Sequence, residues 1–256
     1  MKPLNHLSIV VCALSAAVTL ACAPAPRVAA TPAVASAGSA VANTPPTAND
    51  VKWSRTSAEY RAIFIETYRA AGERLATLSS AHQPASWGVI LDADETVLDN
   101  SEYEVARIPF GGSFDAAEWT KWVMQGRAPA LPGAVAFTSR VHELGGKVVI
   151  VTNRDDAECP ITRTNLERSS IRADLVLCKT TTGDKNPRFD AVQNGTAAPG
   201  VPALAILEWV GDNIQDFPHL KQSIRDGSEA GFSRFGDSFF ALPNPMYGSW
   251  QANPLK

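Results

Sequence analysis

Trp87-Gly88-Val89-Ile90-Leu91-Asp92-Ala93-Asp94-Glu95-Thr96 is the stretch that decides the fold. Its first five residues carry no charge, and the run then ends abruptly on carboxylates. A strand with one wet face would alternate apolar and polar residues. This one does not, so both of its faces are expected to be covered, as in a parallel sheet with helices on either side.

Other parts of the chain repeat the pattern. Lys147-Val148-Val149-Ile150-Val151-Thr152 is a second such run, Ala203 to Asp212 contains a third, and Ala173 to Cys178 is a weaker fourth. Between the first two, Leu131 to Gly146 reads as a helix stopped by glycines, and Asn153 to Ser169 can supply the next. Upstream, Tyr60, Phe64, Tyr68, Ala71 and Leu75 recur at three- and four-residue steps. That is a helical stripe against a core, expected to begin near Ser57 with Ser54 or Thr56 as its cap. Residues 100–130 break the alternation with Phe110, Gly111-Gly112, Phe114, Trp119 and Trp122, and read as a small insertion over the strand ends. The tail from Phe232 to Trp250, rich in Phe, Gly and Pro, is expected to wrap the domain without long elements.

Asp92, Thr152 and Asp212 each end a predicted strand. In an open α/β sheet, ligands bind beyond the carboxyl ends of the strands, so these distant groups are expected to meet at one edge. Asp92 and Asp94, two residues apart in a strand-to-loop transition, can face the same cleft. Two close carboxylates repel unless a cation or a shared proton relieves them. Mg²⁺ does so with a few carboxylates, waters and phosphate oxygens. One acid can then attack phosphorus while the other moves protons.

Asp92-Ala93-Asp94-Glu95-Thr96-Val97-Leu98-Asp99-Asn100-Ser101 resembles the first motif of the haloacid dehalogenase (HAD) superfamily. More narrowly it resembles the bacterial class C acid phosphatases, which include outer-membrane lipoprotein nucleotidases. Val151-Thr152-Asn153-Arg154 is similar to their second motif, Lys185 with Arg188-Phe189 to the third, and Gly211-Asp212-Asn213-Ile214-Gln215-Asp216-Phe217 to the fourth. Leu242 to Trp250 resembles the C-terminal signature. The likeness implies a HAD-type, Rossmann-like parallel sheet flanked by helices over residues 51–256, with a small cap insertion around 100–130. It implies Asp92 as nucleophile and metal ligand, and Asp94 as general acid/base that also gives its backbone carbonyl to Mg²⁺. Thr152 and Asn153 would hold the phosphoryl group, Lys185 would neutralise charge, Asp212 would bind the metal, and Asp216 would support metal waters. Lys179 competes with Lys185 by composition, and the Lys-x-x-Arg spacing favours Lys185. In the nucleotidase members aromatic side chains sandwich the base, which makes Trp119 and Tyr247 the candidates here.

The expected substrates are soluble phosphomonoesters, in the first place nucleoside 5'-monophosphates. A broad acid phosphatase without nucleotide preference is the alternative, and a non-catalytic binding or storage protein is a third reading. The presence of Asp92 and the other acids speaks against the last. A net charge of -3 without a basic block excludes a nucleic-acid polymer as the expected partner. Homodimers occur in the family.

The N-terminus points to export. Lys2 and His6 precede an apolar run from Leu7 through Leu20, so residues 1–21 read as a signal peptide. Thr19-Leu20-Ala21-Cys22 is similar to a bacterial lipoprotein cleavage box, with Thr19 where Leu, Val or Ile is usual. Cys22 is then expected to carry a lipid, and residues 22–50, almost wholly Ala, Pro, Val, Thr, Ser and Gly, to form a flexible tether to a bacterial outer membrane or within the periplasm. Cys159 and Cys178 are read as two buried free thiols, with a disulfide as the alternative in an oxidising compartment.

Overall fold

The computed structural model describes residues 48–255. The signal peptide, Cys22 and all of the expected tether before residue 48 lie outside the described residues. Five strands form one parallel sheet in the order β3-β2-β1-β4-β5: β1 Trp87–Leu91, β2 Lys147–Asp155, β3 Leu175–Lys179, β4 Ala205–Gly211 and β5 Phe239–Ala241. The helices are α1 Ala48–Thr56, α2 Ala58–Ser79, α3 Ser101–Arg107, α4 Ala116–Val123, α5 Ala134–Glu143, α6 Cys159–Arg168 and α7 Asn186–Gln193.

The unbroken apolar runs have the cause expected of them. Val89, Leu91, Val148, Ile150, Val176 and Val210 point to one face, where they pack with the α2 stripe, Phe137 and Val141 of α5, and Leu166 of α6. Ile90, Val149, Val151 and Trp209 point to the other, against Phe189 and Val192 of α7 and Phe217 and Phe239. Alternate residues thus go to opposite faces, and both faces are dry. Each such side chain contributes about 1.5–3 kcal/mol by leaving water.

All five residues of the α2 stripe are buried. Ser57, rather than Ser54 or Thr56, caps α2: its hydroxyl accepts the Tyr60 N–H at 3.0 Å. Helix α1 begins inside the last residues assigned to the tether and holds Val51 in the core. The insertion contains α3, a 3-10 turn at Ile108–Phe110, and α4, and no strand. The tail has no long element, as expected, and three of its residues, Phe239–Ala241, join the sheet beside β4. One expectation needs correction. Cys159 and Cys178 are buried but not free: they form a disulfide, with Cα atoms 5.9 Å apart. Cys159 opens α6 after the 3-10 turn Asp156–Glu158 that follows β2, and Cys178 lies in β3, which pairs with β2, so the topology brings the helix start over the strand. Among the described residues no helix is long and apolar enough to cross a membrane.

Candidate active site

The parallel sheet delivers its polar strand ends to one edge, as the sequence pattern requires. Asp92 follows β1, Asp212 follows β4, and Asp216 ends the 3-10 turn Ile214–Asp216. Asn213 sets that turn: its side chain accepts the Gln215 N–H, while its own N–H donates to Asp216 Oδ2 at 2.8 Å. Gly211 makes the approach possible, since a Cβ there would collide with the Asp216 side chain. Lys185 enters from the start of α7 and is almost fully buried. Its Nζ lies 2.7 Å from Asp92 Oδ1 and 2.6 Å from Asp216 Oδ1. Lys179, the competing lysine, instead pairs with Asp155 at 2.8 Å.

One buried ammonium therefore faces three carboxylates, because Asp92, Asp212 and Asp216 each offer an oxygen within 4.8 Å of the others. Burial pushes the Asp92 carboxyl above its usual range; Lys185 opposes this, and Asp216 and Asp94 add to it. Burial also raises Asp212 well above the usual range, with Asp216 and Asp92 contributing. Asp212 is held from two sides, by the Thr96 hydroxyl at 3.1 Å and by Asn244 Nδ2 at 2.9 Å. Asn244 belongs to the C-terminal tail, so the tail reaches into the acid cluster itself.

Asp94 has a separate environment. Its carboxylate meets the Arg154 guanidinium through Nε and Nη2, and Asn100 Nδ2 donates to Oδ1 at 2.8 Å. The Arg154 side chain is fully buried; burial pulls its proton affinity down, but the adjoining Asp94 and Glu95 charges more than offset this. Between the two aspartates, Glu95 sits in the left-handed region at φ 50° and accepts the Asn100 N–H at 2.8 Å. A buried acid in strained backbone marks a turn that its surroundings over-determine.

Asp92, Asp94, Asn153, Lys185, Asp212, Asp216, Trp119 and Tyr247 all border one cleft of about 460 Å³. Of the residues given a catalytic, substrate or metal role in the sequence, Thr152 alone among those described stays behind its wall. It is fully buried, its hydroxyl accepts the Arg154 N–H at 3.2 Å, and its carbonyl accepts Arg188 Nη1 at 2.5 Å. The Asn153 amide donates to Gly183 O at 2.9 Å and accepts from Arg188. Trp119 stacks edge-on to Tyr103, with centroids 5.1 Å apart. Trp122, three residues on, serves structure: it is buried and donates from Nε1 to Asn100 Oδ1 at 2.8 Å. Arg154, Asn100 and Asn244 all stand inside quoted motifs, but nothing in their spacing named the carboxylates they hold.

The family model for the HAD superfamily, subfamily IIIB (acid phosphatase), matches residues 10–250. The chain belongs to that family. It is 31% identical over 167 residues to acid phosphatase 1 of Solanum lycopersicum, a match covering 62% of this chain and 57% of that protein. It is 26% identical over 160 residues to the stem 28 kDa glycoprotein of Glycine max, covering 62% and 58%. The chain thus spans less than two thirds of the length of these curated relatives. Among solved structures, the class C acid phosphatase from Bacillus anthracis superposes with a TM-score of 0.70 at 26% identity, over 81% of this chain and 89% of that one. Its tungstate-bound form gives 0.69 at the same identity and over 90% of that chain.

A divalent cation fits the subfamily IIIB site in this chain. Three oxygen donors of the hard type converge within 4.8 Å, and one ammonium cannot balance them. Mg²⁺ favours such a set.

Proposed function

We propose that the protein is a Mg²⁺-dependent acid phosphatase that hydrolyses phosphomonoesters through a covalent aspartyl-phosphate on Asp92. The observation that carries this reading is Lys185, whose buried Nζ bridges Asp92 and Asp216 beside Asp212, with Asp94 held apart in its own clamp. Asp92 and Asp212 would hold the cation, together with the Asp94 backbone carbonyl that the family resemblance assigns, and Asp216 beside them would support its waters. When bound, the cation would supply charge neutralisation for the phosphoryl group.

An Asp92 oxygen attacks phosphorus, the ester P–O bond breaks, and Asp94 gives its proton to the departing alkoxide. Water then gives a proton of its own to Asp94 as its oxygen attacks the phosphorus of the aspartyl-phosphate, which returns Asp92 and releases phosphate. Lys185 stabilises negative charge beside the nucleophile in both steps. Thr152 and Asn153 would shape the phosphoryl pocket through the backbone of the β2 end. Phosphate release from a panel of monoesters, with Mg²⁺ and with chelator, tests the reading. Turnover that is absent, or untouched by chelation, would sink it.

A broad acid phosphatase is the better supported form of this function. Preference for nucleoside 5'-monophosphates rests on Trp119 and Tyr247, which border the same cleft as the acids. One stacked base is worth roughly 1–3 kcal/mol, so Trp119→Ala should lower kcat/KM for 5'-AMP about 5- to 150-fold and leave glycerol phosphate almost unchanged. Tyr247→Ala should do the same. Equal losses on both substrates would make these rings supports of the insertion. Export with a lipid on Cys22 is the accompanying proposal, supported by the signal-like run and Ala21-Cys22. A mature N-terminal peptide of unmodified mass would refute it.

A further inference from the structure

We infer that Arg154 is a positioning residue that fixes which oxygen of Asp94 carries the proton, through a clamp closed by Asn100 and Trp122. This rests on the phosphatase reading above and concerns the proton donor within it. Asp94 Oδ1 accepts three N–H groups: Arg154 Nε at 3.0 Å, Arg154 Nη2 at 2.8 Å and Asn100 Nδ2 at 2.8 Å. Oδ2 has one longer contact, to Arg154 Nε at 3.3 Å. An oxygen already taking three donors has no lone pair left for a proton, so a protonated Asp94 carries it on Oδ2.

The clamp is itself held rigid. Arg154 Nη2 reaches Asn100 Oδ1 at 3.2 Å, and the same oxygen accepts the Trp122 indole N–H at 2.8 Å. The Asn100 backbone N–H is tied to Glu95 at 2.8 Å. Arg154 Nη1 faces the Thr162 hydroxyl at 3.4 Å, and that hydroxyl donates to Glu158 O at 2.9 Å. Asn100, Trp122 and Glu95 are all buried. The amide orientation of Asn100 follows from this network: its Oδ1 meets two donors and its Nδ2 meets carboxylates. The cap insertion thereby reaches the proton donor through Trp122 of α4, so the ring that anchors the insertion also sets the catalytic acid.

A donor held in place matters only where the leaving oxygen needs its proton. Glycerol phosphate departs as an alkoxide, whereas 2,4-dinitrophenyl phosphate departs as a stable phenolate. The value of kcat/KM reports the first transfer, in which Asp94 acts as acid. Arg154→Lys keeps the positive charge and loses the planar fork. It should lower kcat/KM for glycerol phosphate about 100-fold, within the usual reach of general acid catalysis, and that for the dinitrophenyl ester less than about fivefold. Trp122→Phe removes only the indole N–H and should shift the same ratio in the same direction, by less. If Arg154→Lys does not fold, as judged by circular dichroism, Trp122→Phe carries the test alone. A wild type that turns over both esters, with variants that keep its ratio, would overturn the clamp and leave the phosphatase reading intact. A wild type idle on both esters would overturn the phosphatase reading and the clamp with it.

Discussion

Strand β4 carries two kinds of buried acid a few residues apart. At its carboxyl end, Asp212 belongs to a cluster in which each carboxylate has a partner: Lys185 for Asp92 and Asp216, Thr96 and Asn244 for Asp212 itself. In mid-strand, Glu208 lies opposite Val89 of β1, fully buried, and neither carboxyl oxygen has a hydrogen-bond partner among the described residues. Arg74, the nearby cation, is engaged with Asp237 at 2.7 Å. Both positions pay for desolvation, but they settle it differently. The cleft gathers cationic and hydrogen-bonding partners around its acids. Glu208 is left to stay protonated, since burial pushes its carboxyl up to about 9. A buried acid is therefore no guide to chemistry unless its partners converge with it on a cleft.

The sharpest way to test that contrast is at the paired end. Asp92→Asn is nearly isosteric and cannot form an acyl-phosphate, so kcat should fall at least about 1000-fold while the circular dichroism spectrum stays the same. Retention of a tenth of wild-type kcat would remove Asp92 as nucleophile. Lys185→Met should come next in effect. It leaves Asp92 and Asp216 buried without their cation, at a cost of about 3–5 kcal/mol, read as the unfolding midpoint in chelator. Added Mg²⁺ should restore part of that stability, because it would neutralise the same carboxylates. An unchanged midpoint would mean that the acids shed their charge as Glu208 does. Asp212→Asn should raise the Mg²⁺ concentration for half-maximal activity about 10- to 100-fold. An unchanged half-saturation and maximum would remove it from the metal.

Local periodicity made most of this architecture legible. The α2 stripe and the strands β1, β2 and β4 stood out because each carries a long apolar stripe or run. Strand β5 did not, since three residues near Gly236 and Pro243 carry no period, and only the edge of β4 makes them a strand. The disulfide was hidden for a related reason: the spacing of Cys159 and Cys178 says nothing of α6 lying over β3. At the site, residue types at strand ends pointed to Asp92, Asp94 and Asp212, and the Lys-x-x-Arg spacing to Lys185. Arg154 lay within a recognised motif, yet its partner is sixty positions away in sequence, a pairing that only tertiary geometry creates. Glu208 passed as one residue of an apolar strand, and its lack of partners is likewise a property of the packed sheet.

The smallest effect falls at Glu208 and tests the unpaired half of the contrast. Its folded value, about 9, stands above the ordinary 4.5 of the free side chain. The folded protein therefore binds a proton that the unfolded chain releases across that interval. The contribution is fully present below about pH 4.5 and is lost as the pH rises toward 9, with a slope of at most about 1.4 kcal/mol per pH unit. Glu208→Gln keeps the shape and does not titrate. Urea midpoints for wild type and variant, compared at pH 5, 7 and 8.5 in the same Mg²⁺, isolate this one group because the cleft acids are common to both proteins. The two should lie closest at pH 5, and the variant should gain on the wild type as the pH rises. Parallel curves would mean that Glu208 ionises with Arg74 turned from Asp237 to meet it, and mid-strand and strand end would then handle buried charge in the same way.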